Sequence, residues 1–571
     1  MFRNVLSLAA AVAISVSLVP PVQAASDAGA YLAGRYAGVR SDYSEAARYY
    51  TQALARDTSN VELMESTALS YLSLGQIDKA LPLARALEAK GQRSQVAHLV
   101  ISAALAQKND FAGLLARENE DAGVGPWVDG LIKAWAQMGA GDVTTAIAAF
   151  DALSEEAGMR GIVMYHKALA LASVGDFEGA EAIFGANDSG AASQTRRGVM
   201  ARIEVLAQLD RRDDALTLLR DSFGGGSDPE LDILTAALEA GEPLPYTLVR
   251  DAKAGMAEVF FTFAAVLKNE AAADYYVLLF SRIAHYLRPE HVDALLLSAG
   301  LLEDLGQYDL AINVYKSMPA DDPAYHAAEL GRADALRRAG KVEQAVEVLG
   351  QLTRSHGDLS VVHSTLGDIL RGKEDFAGAI TAYNKAIDLT TDATRARWLL
   401  YYSRGIAYER SGNGAASETD FRAALALNPE QPQVLNYLGY SLVEQKRNLD
   451  EALDMIERAV AASPQSGYIV DSLGWVLYRL GRYDEALVQM ERAVELIAVD
   501  PVVNDHLGDV YWAVGRQREA EFQWHRALSF IKQDDVDTEA DPDRIRRKLE
   551  IGLDAVLKEE GAPPLKVAND I

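Results

Sequence analysis

Acidic residues occupy every second position from Asp535 to Asp543, in the manner of the first ligands of a calcium loop. Such a loop surrounds the ion with oxygen ligands at alternate positions. However, Ala540 stands where the tight turn needs glycine, and Arg546 stands where a bidentate glutamate is expected. We therefore predict a solvated linker that ends in a helix N-cap, and no calcium site.

Two further patterns could bind a ligand. His356 and His363 share a helical face, but no carboxylate or third histidine stands at ligand spacing, so we predict no metal site. Residues 224–226 are glycines, yet no Gly-Lys-Ser/Thr and no strand pattern accompanies them, so no nucleotide site is expected. The sequence also lacks cysteine, His-Glu-x-x-His and Gly-x-Ser-x-Gly. We predict that the chain is not an enzyme and uses no cofactor.

A period of about 34 residues runs through the chain. Within each period, apolar residues recur at three- and four-residue steps and predict two short amphipathic helices that a glycine separates. Each unit is thus predicted to be a helical hairpin, in which Gly474 and Ala486 let the two backbones approach closely while Leu477 and Met490 fill the flanking volume. The alanines that mark the period are Ala311, Ala345 and Ala379, and then Ala452, Ala486 and Ala520.

Two irregular steps interrupt this series. The step from Ala379 to Ser417 and the step from Ser417 to Ala452 are both longer than the period, so insertions at turns are expected. Ser417 also stands where the pattern has alanine. We expect looser packing in those units.

The residues of the clearest units resemble the tetratricopeptide repeat, whose pattern contains Leu-Gly, Tyr, Gly, Ala, an aromatic residue, Ala and Pro at fixed places in each period. Weaker copies extend back to Tyr43. The resemblance implies an all-α fold, namely a tetratricopeptide-repeat superhelix (α-solenoid) of antiparallel helical hairpins with a C-terminal capping helix. The residues that carry it are Leu473, Gly474, Leu477, Gly481, Tyr483, Ala486, Met490 and Ala493, and then Leu507, Gly508, Tyr511, Gly515, Ala520, Trp524 and Ala527.

Breaks in the helical periodicity divide the chain. Glycines and prolines interrupt it at 223–229 and 241–245, and a stripe from Ile545 to Val556 at helical spacing predicts the capping helix. The predicted segments are a signal peptide (1–24), a degenerate N-terminal repeat array (27–223), an irregular helical connector (224–289), a C-terminal repeat array (290–531), a capping helix (541–560) and a flexible tail (561–571).

The first 24 residues read differently from the rest. Arg3 supplies a positive charge, Val5–Val19 is a short apolar run and Val22–Ala24 offers small residues for cleavage, which together predict a secretory signal peptide. The run is shorter than the roughly 20 residues that span a bilayer, so a retained membrane anchor is the weaker alternative. Because no cysteine can carry a lipid, we expect a soluble periplasmic protein without an integral membrane span.

The net charge limits the classes of partner. It is −27 at pH 7. Such a charge repels phosphate backbones and anionic membrane surfaces, so nucleic acid is not expected as a partner. The acidity has two open interpretations, which are solubility and the steering of basic partners.

The resemblance also implies where a partner would bind. In tetratricopeptide folds the first helix of each hairpin lines a concave groove, and its exposed positions lie three residues before, one after and four after the small residue at Gly367, Gly405, Gly439, Gly474 or Gly508. We predict a partner-binding groove that is aromatic and acidic. Its predicted binding residues are Tyr402, Glu409, Asn436, Tyr440, Asp471, Trp475, Tyr478, Asp505, Asp509 and Trp512, and the remaining groove positions are Ser364, Asp368, Arg371, Ile406 and Val443.

Related co-chaperone repeats bind a C-terminal carboxylate through lysine, arginine and asparagine in this groove. Among the ten predicted binding residues only Asn436 fits that chemistry, so we expect a different kind of ligand. Single aromatic residues at these positions could also pack between neighbouring repeats.

Two short stretches, 435–442 and 471–478, resemble the C-terminal repeats of proteobacterial periplasmic proteins that serve as adaptors of carboxyl-terminal processing proteases. The resemblance implies a scaffold or adaptor that binds segments of other proteins, with a processing protease as one partner. Two alternatives stay open, which are a component of an envelope assembly or polymer-export complex and an enzyme with an unrecognised site in the connector.

Overall fold

The chain is helical throughout the part that the structure describes. The computed structural model describes residues 24–117, 123–156, 158–186, 190–224, 228–390, 395–531, 540–562 and 565. No strand occurs within these residues, which confirms the predicted all-α fold. Residues 1–23 of the predicted signal peptide and most of the predicted tail lie outside them. None of the described helices is long and apolar enough to cross a membrane.

The chain divides into two compact units, of which the first ends at Val348 and the second begins at Leu349. The helix α19 (Val342–Ser355) contains the division. The helices of the first unit are α1 (Ala24–Val39), α2 (Tyr43–Leu54), α3 (Val61–Ser73), α4 (Ile77–Ala89), α5 (Gln95–Gln107), α6 (Phe111–Leu115), α7 (Pro126–Gly139), α8 (Val143–Ser154), α9 (Arg160–Ser173), α10 (Phe177–Phe184), α11 (Arg196–Gln208), α12 (Arg212–Phe223), α13 (Pro229–Ala240), α14 (Ala252–Asn269), α15 (Asp274–Leu287), α16 (Val292–Asp304), α17 (Tyr308–Tyr315) and α18 (Tyr325–Arg338).

The second unit contains five hairpins followed by two short helices. Its helices are α20 (Ser360–Gly372), α21 (Phe376–Leu389), α22 (Arg395–Arg410), α23 (Gly414–Leu427), α24 (Pro432–Glu444), α25 (Leu449–Ala462), α26 (Gly467–Arg479), α27 (Tyr483–Leu496), α28 (Pro501–Ala513), α29 (Gln517–Phe530), α30 (Pro542–Ile551) and α31 (Leu553–Glu559).

Local sequence explains where the helices of a hairpin begin and end. The turn between α26 and α27 contains Gly481 with a φ of 78°, a left-handed conformation that glycine adopts without a steric penalty. Asp375 precedes α21, and its side chain accepts a hydrogen bond from the Gly378 amide at 2.9 Å. Such caps satisfy amides that have no partner within the helix.

Small residues bring the two helices of a hairpin together. A Cβ atom on Gly474 would lie 2.7 Å from Met490 Cγ, so a larger residue would require Met490 to move. Ala486 on the opposite helix is fully buried. The predicted close crossing of α26 and α27 is therefore present in the structure.

In the first unit, α14 and α15 pack on the first helices of the preceding hairpins. The helix α14 contacts α5, α7 and α9, and α15 contacts α3 and α5. Gly255 of α14 lies directly against the Trp135 ring of α7. The Arg282 Nε of α15 donates a hydrogen bond to the Ser73 carbonyl of α3 at 3.1 Å. Residues 252–287, which the sequence pattern assigns to a connector, thus cover the inner helices of this unit.

The last two helices of the second unit occupy the segment predicted to be a capping helix. The helix α30 contacts α29, and the two short helices contact each other. Ile545, Leu553 and Val556 are buried. Asp541, the last acidic residue before α30, caps this helix by accepting from the Arg544 amide. The sequence pattern predicts one helix here, but Gly552, with a φ of 80°, separates two.

Candidate protein-binding surface on the inner helices

In the second unit, the predicted groove positions lie on one face of the first helix of each hairpin. Residues six and three before, and one and four after, the small glycine lie within one narrow arc of an α-helix. We call these four positions on α20, α22, α24, α26 and α28 the inner stripe. It contains all ten predicted binding residues and a further row, six residues before each glycine, that the prediction did not include.

The C-terminal end of the inner stripe is buried under α30. Asp505 and Asp509 of α28 face the fully buried Lys548, whose Nζ lies 2.8 Å from Asp505 Oδ1 and 2.6 Å from Asp509 Oδ1. Trp524 Nε1 donates a further hydrogen bond to Asp509 at 3.0 Å. Burial and the Asp509 carboxylate raise the pKa of Asp505, and Lys548 opposes them. These two carboxylates, which the sequence predicted to be exposed, are satisfied inside the protein.

The helix α26 contributes three predicted binding residues that are also buried. The Trp475 ring stacks on His506 of the next inner helix, with ring centroids 3.9 Å apart, and on Tyr478 at 4.9 Å. His506 Nδ1 lies 3.1 Å from Asp471 Oδ2. Trp475 Nε1 donates to Glu444 at 2.9 Å. Asp471, Trp475 and Tyr478 therefore pack between neighbouring inner helices, and their predicted exposure is wrong because α28 lies on them.

Trp512 is intermediate between these positions and the open ones. Its Nε1 donates a hydrogen bond to Asp554 Oδ2 of α31 at 2.9 Å. Its ring lies beside Gly552, where a Cβ atom would come within 2.7 Å of Trp512 Cζ2. Trp512 is half-buried. It is therefore partly engaged by the end of the chain.

The N-terminal end of the inner stripe is more open. Tyr402, Glu409, Asn436 and Tyr440 are all half-buried. The Asn436 Oδ1 has no hydrogen-bond partner among the described residues. These four residues are the predicted binding residues whose side chains a partner could reach most directly.

Sequence reasoning missed an exposed apolar row at the start of the inner helices. Val361, Leu399 and Tyr468 are 46%, 50% and 61% exposed, and each stands six residues before its hairpin's glycine. The signal that could have found them is this constant spacing. At the same position α24 has the exposed Gln433 and α28 the half-buried Val502, so the row is apolar on four of the five inner helices.

The weaker sequence patterns lie only partly within the described part of the chain. His363 Nε2 lies 3.0 Å from the Gly357 carbonyl. Among the described residues, no group of three or more histidines and carboxylates is placed to hold a metal ion. Residues 535–539 of the acidic run and 225–227 of the glycine-rich break lie outside the described residues.

Comparison with known proteins finds a relative that is similar over only part of its length. The chain is 27% identical over 194 residues to the TPR repeat-containing protein PA4667 of Pseudomonas aeruginosa, a match that covers 34% of this chain and 32% of that protein. The match thus spans about a third of the relative's length.

Similar chains are also found among solved structures. One is in the crystal structure of the APC/C hetero-tetramer Cut9-Hcn1, with 17% identity, a TM-score of 0.39 and coverage of 92% of this chain and 96% of that one. Another is a tetratricopeptide repeat protein from Parabacteroides merdae, with 16% identity, a TM-score of 0.37 and coverage of 45% of this chain and 96% of that one.

Family models give the most extensive match. Models described as "Tetratricopeptide repeat" match residues 31–112, 133–192, 302–369, 362–392, 402–467 and 447–501, which together make up more than half of the chain. Both compact units contain matched hairpins. The chain belongs to the tetratricopeptide repeat family.

Proposed function

We propose that this protein is a scaffold that holds a segment of a partner protein on the open part of the inner stripe. The observation that carries the proposal is the exposed row of Val361, Leu399 and Tyr468 at one register position of three inner helices. Apolar contacts of this kind supply most of the free energy of protein association. Repetition along the array adds several such contacts to a single bound segment.

The half-buried residues behind this row support the same function. Tyr402 and Tyr440 offer large contact areas at little entropic cost, because each has only two side-chain torsions. The Asn436 Oδ1 also has no partner among the described residues, but it is buried, so the side chain must turn outward before a bound segment can donate to it. A bound segment would therefore meet apolar anchors first and hydrogen-bonding groups behind them.

The proposed site of action is the periplasm, and the proposed partner class is a processing protease or its substrates. The N-terminal sequence supports export, because a basic residue precedes a short apolar run and small residues at a cleavage site. The stretches at 435–442 and 471–478 support the partner class through their resemblance to protease adaptors. N-terminal sequencing of the protein from a periplasmic fraction tests the location.

The test of binding is affinity capture from periplasmic extract, read by mass spectrometry. The test variant carries Val361→Ser, Leu399→Ser and Tyr468→Ser. A matched control carries Val488→Ser and Phe522→Ser, which change residues that are 63% and 62% exposed on the outer helices α27 and α29. Since all five side chains are exposed, each change should alter the free energy of unfolding by no more than about 0.5 kcal/mol.

Proteins that the wild type and the control retain, and that the test variant loses, would establish the inner stripe as the binding surface. Recovery of a processing protease in this set supports the adaptor role. Recovery of envelope assembly proteins would move the function to an assembly complex. Equal capture by all three forms would contradict the proposal.

A further inference from the structure

An aromatic cluster lies beside the open part of the inner stripe and shares Tyr402 with it. The Tyr402 and Tyr437 rings meet edge to face, with centroids 5.6 Å apart and an interplanar angle of 82°. Trp398 lies 6.2 Å from Tyr402, and the buried Phe421 lies 5.9 Å from Tyr437 on the other side. Phe421 supports the cluster from the core, while Tyr437 is 38% exposed. The cluster is thus built on α22, α23 and α24 and is open to solvent.

Glu409 adds a carboxylate to this cluster. It follows Tyr402 by two helical turns on the same face of α22. Burial raises the pKa of Glu409, and a hydrogen bond with Ser441 of α24 opposes this effect. Burial and then the Glu409 carboxylate raise the pKa of Tyr437. The Glu409 carboxylate therefore faces α24 and lies within electrostatic range of the Tyr437 hydroxyl.

Two arginines, Arg371 and Arg410, lie within electrostatic range of this cluster. Arg371 Nε donates to the Tyr383 hydroxyl at 3.1 Å, and its Nη2 donates to Asp368 at 3.3 Å. Arg410 Nη2 lies 3.9 Å from Glu374. Among the described residues, no ion pair joins Glu409 to a lysine or arginine. Glu409 is thus half-buried without a direct ion pair, and Arg410 acts on it as a nearby charge that lowers its pKa.

We propose that Tyr402, Tyr437 and Glu409 form a binding site for a lysine or arginine side chain of the partner segment. The face of a tyrosine ring attracts a cation, and a carboxylate completes its charge-assisted hydrogen bonds. Leu399 stands one turn before Tyr402 on the same face, so the cation enters beside an apolar anchor. The recognised sequence is therefore a basic residue flanked by large apolar residues. This inference rests on the proposed function of the inner stripe.

The test is selection of a displayed library of short random peptides on the full chain, followed by fluorescence anisotropy of the enriched peptides. The variants are Glu409→Gln and Tyr437→Leu, and the control is Asp388→Asn, which removes one exposed carboxylate from the outer helix α21. Circular dichroism checks that each variant keeps its helical content. Each enriched peptide is also made with its basic residue replaced by norleucine.

We expect enrichment of lysine or arginine beside large apolar residues. Glu409→Gln should weaken binding about tenfold, and Tyr437→Leu several-fold, because a desolvated cation loses an ionic or a ring contact. Asp388→Asn should leave the affinity unchanged. The norleucine peptide should bind wild type and Glu409→Gln equally, since the coupling between the cation and the carboxylate is then absent.

Two results would overturn the inference. If enriched peptides are lost with the change of Val361, Leu399 and Tyr468 to serine but keep their affinity for Glu409→Gln, the cation site is wrong and the proposed function stands. If no enriched peptide is sensitive to either change, the inner stripe is not a binding surface and both proposals fail.

Discussion

The inner helices of the two compact units are built from the same hairpin repeat and are covered to different extents. In the first unit, α14 and α15 lie along α3, α5, α7 and α9, and the surface that could hold a partner is filled by the chain itself. In the second unit, α30 and α31 bury only the end of the inner stripe, and Val361, Leu399 and Tyr468 are exposed. The same repeat can thus serve as an internal packing surface or as an open one.

Buried charge explains how the first unit holds its covering helices. Glu258 of α14 is buried, and its carboxylate lies 2.6 Å from the Arg197 guanidinium of α11. It accepts a hydrogen bond from the Tyr165 hydroxyl at 2.9 Å and lies 3.3 Å from His291 Nε2. Burial alone would raise the pKa of Glu258, but Arg197 and His291 hold it well below its ordinary value. This cluster fixes α14 to the inner helices at one register.

Removing the central carboxylate should have the largest effect. Glu258→Ala leaves Arg197 buried with only Asp293 as its partner, at 2.7 Å. We expect a loss of about 3–5 kcal/mol in the free energy that holds α14 in place, as for other buried pairs that lose one member. Hydrogen exchange read by mass spectrometry should show α14 and α15 exchanging faster, with α24 and α26 unchanged. Glu290→Ala, at an exposed carboxylate, is the control. Unchanged protection of α14 would show that the cluster does not hold it.

In the second unit, the corresponding substitution is at Lys548 of α30. Lys548→Met leaves Asp505 and Asp509 buried without their lysine. We expect a loss of about 2–4 kcal/mol, reduced where the carboxylates take up protons. Residues 542–559 should then exchange faster, and limited proteolysis should cleave between α29 and α30. Arg546→Met, at an exposed position of the same helix, should do neither. Equal behaviour of both variants would contradict this role of Lys548.

We expect acidic pH to lower the stability of the first unit more than that of the second. Burial lowers the pKa of His166, on α9 beside Trp135, to about 4, whereas its ordinary value is 6.5. The unfolded chain therefore binds a proton that the folded chain does not, so stability falls as the pH falls from 6.5 towards 4.

His166→Gln keeps an acceptor for Trp135 but does not titrate. At about pH 5 the wild type should lose roughly 1–2 kcal/mol relative to neutral pH through this group, and the variant should not. Melting temperatures of both proteins at the two pH values measure the difference. His525→Gln, at an exposed histidine of α29, should behave as the wild type. A variant that loses as much stability in acid as the wild type would rule His166 out as the cause.

The sequence was sufficient to predict the hairpins, because each depends on contacts within one period of the repeat. Gly474 and Ala486 stand where two helices cross, and the crossing is present. The covering of the first unit could not be predicted in the same way. Glu258 meets partners 61 and 93 residues earlier in the chain, at Arg197 and Tyr165, and no local pattern carries such distances.

The sequence predicted which face of each inner helix carries the candidate site, but it did not predict how exposed that face is. Helical geometry placed Tyr402, Glu409 and Trp475 on one face of their helices, as in the structure. Whether that face is open depends on the neighbouring helix, and His506 stacks on Trp475. From the sequence alone, Lys548 cannot be distinguished from a surface lysine. The helical spacing of residues in α30 indicates neither its burial nor its partners on α28.

The smallest expected effect concerns Ser417 in the second unit, where the repeat has alanine. Its side chain is 1% exposed, and its Oγ has no hydrogen-bond partner among the described residues. Burying an unpaired hydroxyl costs free energy that a methyl group does not cost. Ser417→Ala should therefore stabilise the second unit by about 1 kcal/mol, seen as slower hydrogen exchange in α22 and α23 with no change in α14. Ser411→Ala is a suitable control, because the Ser411 hydroxyl is exposed and donates to the Tyr408 carbonyl at 2.8 Å. If Ser417→Ala destabilises α22 and α23, the hydroxyl has a partner, and the irregular steps around it reflect a required contact instead of looser packing.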